Sequence, residues 1–173
     1  MKQPPAKKNP AFLEEVYQLN EGAELTEALA LSLEAINAID LDQLNRIGLK
    51  TYEKNKWTTH TIFQHLIDWE RIWCFRATIF ARKEGTIPVA HDQVIMGENS
   101  NADELPIEQL VNELRTVRQS TMMMFASFSQ DILETNCEFF EYEMPLSAIG
   151  LSITAHQIHH FRVIKERYLP LDQ

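Results

Sequence analysis

Apolar residues recur along most of this chain at intervals of three and four, whereas β-branched alternating runs bounded by turns are scarce. That spacing confines the chain to helices that each bury one face, and only five Gly and seven Pro in 173 residues punctuate it. Four helical stretches follow. The first covers about 12–39, with a break expected near Asn20–Gly22, and its stripe is Leu25, Leu29, Ser32, Ile36 and Ile39. The second opens after Thr58, whose hydroxyl suits an N-cap, and runs to about Glu84, where Gly85 supplies a stop. The third starts near Pro106, a residue tolerated in a first helical turn, and extends to about Leu133. The fourth spans about Ser147–Tyr168 and is stopped by Pro170.

The links between these stretches, about 17, 21 and 13 residues, exceed the two to eight usual between antiparallel bundle neighbours. Links of that length allow the chain to cross the bundle rather than simply turn back. The expected fold is therefore an all-α four-helix bundle with long crossover connections, one domain over 11–173. Residues 1–10, with three Pro, read as a flexible arm. Met122–Met124 reads as adaptable core or interface packing.

Composition narrows the function classes. With 45% hydrophobic and 24% charged residues the chain is ordinary globular material. Its formal charge is −9, and because Lys2, Lys7 and Lys8 precede the first acid, Glu14, the remainder carries −12. A field of that sign repels phosphate backbones, which argues against a nucleic-acid partner. Cys74 and Cys137 stand 63 residues apart with no CxxC, the pattern of free thiols in a reducing compartment. The opening MKQPPAKKNPAF lacks the apolar core of a secretory signal. The longest uncharged run, 144–161, carries Pro, Ser, Thr, Gln and three His, which bilayer hydrocarbon tolerates poorly. The expectation is a cytoplasmic protein with no membrane partner.

No HExxH, GxxxxGK[ST], GxSxG or GxGxxG occurs, so the chemistry rests on histidine placement. His156 and His160, four apart on the fourth helix, lie about 40° from one another around its axis, within reach of one metal ion. Ile149, Ile153, Val163 and Ile164 project in nearly the same direction, so both imidazoles face the apolar stripe. His65 sits likewise on the second helix, with Ile62, Trp69 and Ile72 along its side. A buried ring nitrogen without a partner costs about 1–3 kcal/mol. Each His could meet that need singly by a core hydrogen bond. Alternatively, three neutral imidazoles around one divalent cation meet it together, and three His with an open fourth position is the arrangement of catalytic zinc.

Other polar residues are weighed beside them. His159, about 60° from His156, reads as a flanking residue that could replace a ligand if the helix rotates. His60 lies in the first turn of its helix, and His91 in a solvated loop that could border the site. Arg76 and Arg118 fall on apolar stripes. They pair with buried carboxylates or snorkel, or else they clamp an anionic substrate group near the metal. Asp68 could orient an imidazole or act as a base, whereas Glu70 points well away and reads as solvated helix face.

Three stretches, KNKWTTHTIFQHLIDWER, LRTVRQSTMMMF and ITAHQIHHFRVIKE, resemble the DinB-like family, which includes YfiT-like metal-dependent hydrolases. The likeness covers about 12–170, the first helix matching only in apolar pattern. It implies a four-helix bundle of unusual connectivity, commonly dimeric, with a divalent metal on three His. Carried onto this chain, those fall on His65, His156 and His160. Zinc is the first choice, with nickel, iron or manganese as alternatives. Hydrolysis of a small molecule by an activated water, or transfer of a low-molecular-weight thiol bound as thiolate, needs the same three ligands. A non-catalytic module stabilised by a structural metal is the expectation from a different class.

Overall fold

The longest helix begins at Thr58, whose Oγ1 accepts from the amide of Thr61 at 3.0 Å and donates to Asp103 Oδ1 at 2.5 Å. This helix, α4 (Thr59–Arg82), ends as Lys83 turns into the left-handed region at φ 52°, two residues ahead of Gly85. A computed structural model describes residues 10–140 and 142–172. Residues 1–9 of the expected arm lie outside those described, and Pro10 instead opens α1 (Pro10–Leu19), a position that needs no amide donor.

The break expected near Asn20–Gly22 is present, with Glu21 and Gly22 at φ 54° and 75°. Asn20 fixes it from within: its Nδ2 donates to Val16 O and Leu151 O, and its Oδ1 accepts from Thr154. The chain continues as α2 (Leu25–Asn37), α3 (Leu41–Ile47), α4, α5 (Gln93–Glu98), α6 (Ile107–Ala126) and α7 (Gln130–Leu133). A hairpin, β1 (Asn136–Phe139) and β2 (Tyr142–Pro145), then leads into α8 (Leu146–Val163). Two corrections follow. The third helix ends at Ala126 rather than Leu133, and the fourth stops as regular α-helix at Val163, passing into a wider turn over Ile164–Tyr168. The hairpin escapes a search for long alternating runs because it has four residues a side. It still alternates, with Cys137, Phe139 and Met144 turned into the core.

The four long helices form a ring in which α2 packs on α6 and α8, and α4 packs on the same two. The consecutive helices α2 and α4 therefore stand diagonally, as do α6 and α8. The first and third links cross the bundle; the middle one joins neighbours and spends its length on α5. Among the described residues no helix is long and apolar enough to cross a membrane.

Two apolar clusters fill the interior. One joins Leu29, Trp73, Phe125, Phe139 and Ile149; the other joins Ile36, Phe63, Leu66, Leu114 and Tyr168. A polar layer separates them, holding Ser32, Glu70, Arg118 and Gln157, and it is here that His65 and His156 enter. Met122 and Met124 pack against the first cluster, whereas Met123 is 76% exposed.

Candidate metal centre

α4 and α8 each deliver imidazoles to the gap between them. His65 Nε2 lies 2.9 Å from His156 Nε2, which lies 3.1 Å from His160 Nε2. Among the described residues these three form a group able to hold a metal ion, all their ligand atoms lying within 4.8 Å of one another. The ring of His65 is held between Trp57 at 5.0 Å and Trp69 at 5.2 Å between centroids. Trp57 is in turn anchored by Tyr168, whose hydroxyl donates to the Trp57 carbonyl. Gly97 of α5 lies against the Trp57 ring so closely that a Cβ there would stand 2.7 Å from it.

The donor set suits a divalent cation. Burial pushes His65 down to about 4 and His160 to about 3, and lowers His156 well below its ordinary value, so all three are neutral at pH 7. Three neutral nitrogens facing one another cannot all be donors and acceptors in turn, whereas three lone pairs aimed at one point can share an ion. Tetrahedral zinc at about 2.0–2.1 Å from each nitrogen separates its ligands by about 3.3 Å, close to the spacing found.

Without metal, this arrangement makes stability depend on pH in a definable window. The folded-state pKa values lie below the unfolded value near 6.5, so the unfolded chain binds more protons between them. The contribution is complete above about pH 6.5 and is lost as pH falls through the window toward about 4. Each His adds a slope of about 1.4 kcal/mol per pH unit. Urea unfolding of chelator-treated protein should show the midpoint falling between pH 6.5 and 5; a flat midpoint there contradicts the burial of the neutral cluster.

The structure treats the remaining candidates differently. Arg118, 1% exposed, donates from Nε and Nη2 to the two oxygens of Glu70 at 2.8 and 2.9 Å, and from Nη1 to Ser32 Oγ. Each of its three guanidinium nitrogens has an acceptor within the protein. Glu70 is 2% exposed, which corrects its reading as solvated face: the side of α4 turned from α8 meets α6 rather than water. Asp68 accepts from Gln64 at 2.9 Å and is raised by burial; it is near the Arg71–Glu113 pair and makes no hydrogen bond to the three imidazoles.

Arg76 sits about 16 Å further along α4 than His65. Its guanidinium lies over Trp73, Phe140 and Phe139 at 5.0–5.8 Å. It donates to Val89 O and meets His91 Nδ1, both at 3.3 Å, while its buried Nε has no acceptor among the described residues. His91 is exposed and His60 is buried in its first turn. Exposed His159 stands with its ring 5.1 Å from that of His160.

Two cavities meet the cluster. One, of about 230 Å³, lies between α1, α4, α8 and the hairpin and reaches His156 and His159. The other, of about 360 Å³, has Tyr52, Trp57, Val94 and Glu98 in its wall and reaches His159 and His160. These walls are what sequence reasoning missed. Trp69 and Trp73 were legible as an i, i+4 continuation of His65, whereas Phe12, Gln93 and Tyr142 reach the site only through tertiary packing.

Fold and site together define a four-helix bundle with two diagonal crossovers that brings three imidazoles from two helices to one point. Residues 24–164 match the DinB superfamily, and the chain belongs to that superfamily. Among solved structures it resembles YfiT from Bacillus subtilis, with a TM-score of 0.61 and 15% identity over 96% of this chain and 93% of that one. YfiT is described as a probable metal-dependent hydrolase with an unusual four-helix bundle topology. At that identity the likeness is one of fold. No curated protein matches the chain.

Proposed function

We propose that the protein is a metal-dependent hydrolase of a small molecule, with His65, His156 and His160 holding a divalent cation, zinc by preference. The observation that carries this reading is the convergence of three neutral Nε2 atoms at a point served by two cavities. A cation bound there supplies Lewis acidity, polarising a substrate carbonyl or phosphoryl oxygen and acidifying water. The family membership and the description of YfiT support the same class.

The chain's own residues have separable tasks. The low proton affinity of the three imidazoles keeps their lone pairs available at neutral pH. Trp57 and Trp69 fix the plane of His65 and keep water from its sides. His159, exposed and in the wall of both cavities, is placed to hydrogen-bond a small molecule that enters either one. No thiol competes as nucleophile, because burial raises Cys74 to about 11 and Cys137 to about 12.

Zinc-loaded protein should hydrolyse members of a panel of small esters and amides, lose that turnover on chelation and regain it on zinc addition. Turnover indifferent to chelation overturns the reading. The second cavity favours one further possibility, transfer to a low-molecular-weight thiol, because it leaves room for a second small molecule beside the cluster. Acceleration of electrophile consumption by added cysteine, with a stable thioether product, identifies that case.

A further inference from the structure

The cavity at His156 has Phe12, Trp69, Trp73 and Tyr142 in its wall. Trp69 and Trp73 follow His65 at one-turn steps along α4, and facing them Phe12 and Tyr142 lie 4.8 Å apart between centroids. Its polar atoms are distributed unevenly. The Ser152 hydroxyl is turned to Ala148 O at 2.7 Å, so the floor offers no free donor. His156 and His159 stand at one end, and Glu15 and Gln93 are exposed residues of the wall.

Size makes the reading specific. Cavities that hold drug-sized ligands measure about 300–1,000 Å³. An apolar cavity of about 150 Å³ is enough for benzene. At about 230 Å³ this one has room for a six-membered ring with a short substituent, and is smaller than a peptide or nucleotide site. Four aromatic walls also favour a flat ring over a puckered one, since edge-to-face and offset contacts add about 0.5–1.5 kcal/mol per pair beyond area.

We infer that the substrate of this site carries one aromatic ring, seated among Phe12, Trp69, Trp73 and Tyr142, with its polar end directed to the histidines. This rests on the hydrolase reading for the polar end alone; the ring's seat is a property of the cavity. The direction follows from that reading, because a reacting group must lie at the His156 side of the wall to reach the three-imidazole cluster.

The test uses tryptophan fluorescence of the full chain, once chelator-treated and once zinc-loaded, titrated with three amides. Benzamide should quench saturably in both forms. Acetamide should not, and cyclohexanecarboxamide should bind at least fivefold more weakly than benzamide. Ser152→Leu fills the seat and should weaken benzamide tenfold or more. Because Ser152 is buried, Tyr142→Ala gives a second reading that survives a misfolded first: it removes one ring from the wall, weakens benzamide and narrows the preference for benzamide over cyclohexanecarboxamide.

Saturation by benzamide in protein that binds no zinc leaves the seat standing while the metal reading falls. Zinc binding without benzamide saturation overturns the seat alone. Equal affinity for benzamide and cyclohexanecarboxamide, or an unchanged selectivity in Tyr142→Ala, also overturns it.

Discussion

His156→Ala, purified after zinc loading, should carry less than about one tenth of an ion per chain where the wild type carries close to one. His156 is the ring shared by both close contacts, 2.9 Å to His65 and 3.1 Å to His160, so its loss leaves two nitrogens on different helices. His65→Ala should behave alike, because it removes the only one of the three imidazoles contributed by α4. His159→Ala should retain its metal, which also tests whether that exposed residue can stand in for a ligand. Stability gives an independent readout. Free zinc at about 100 times its dissociation constant adds about 2.7 kcal/mol. For a chain of this size that corresponds to about 5–10 °C in melting temperature. Chelation should remove the gain from the wild type and leave both ligand variants unmoved. A wild type that takes up no metal on reloading, or ligand variants that hold it as well, would sink the proposal.

Glu70→Ala should be among the most damaging substitutions, although it touches none of the three imidazoles. It strips both acceptors from a guanidinium that is 1% exposed and leaves an uncompensated cation between two apolar clusters. Breaking such a pair from one side costs about 3–5 kcal/mol, or about 10 °C here. Replacing both partners, as Glu70→Leu with Arg118→Met, should restore most of that loss, because two charges no longer need to be buried. Metal content should be unchanged in the folded fraction of each variant, since the hydrogen bonds of the pair go to Ser32 and to one another. A single-variant cost below about 1 kcal/mol, read by urea unfolding, would show that the pair is hydrated in solution.

Much of the architecture was legible because helices announce themselves locally. Thr58 caps α4 with its own hydroxyl, and Asn20–Gly22 breaks the first stretch with two positive φ angles. The facing of His65, His156 and His160 followed from their apolar neighbours, which share their side of each helix. Glu70 was misplaced for the converse reason. Helical phase says that it points away from His65, but not that a second helix waits there. Arg118, 48 residues on, is what makes an inward glutamate tolerable, and no local rule connects the two. The cavity walls were hidden in the same way: Phe12, Gln93 and Tyr142 come from α1, α5 and the hairpin, whose mutual placement is decided by packing alone.

The diagonal order of the bundle has a consequence for when the three imidazoles come together. His65 and His156 are 91 residues apart, and the next long helix after α4, α6, packs beside it without completing the cluster. A growing chain that has made α2, α4 and α6 already has three sides of the ring, yet it holds one imidazole of three and an open slot where α8 belongs. Docking of α8 fills the core from Leu146 to Ala155 and delivers two imidazoles in the same motion. The three-imidazole cluster is thereby completed only by the final closure of the bundle: a partly built chain presents one imidazole, and only a closed ring presents three.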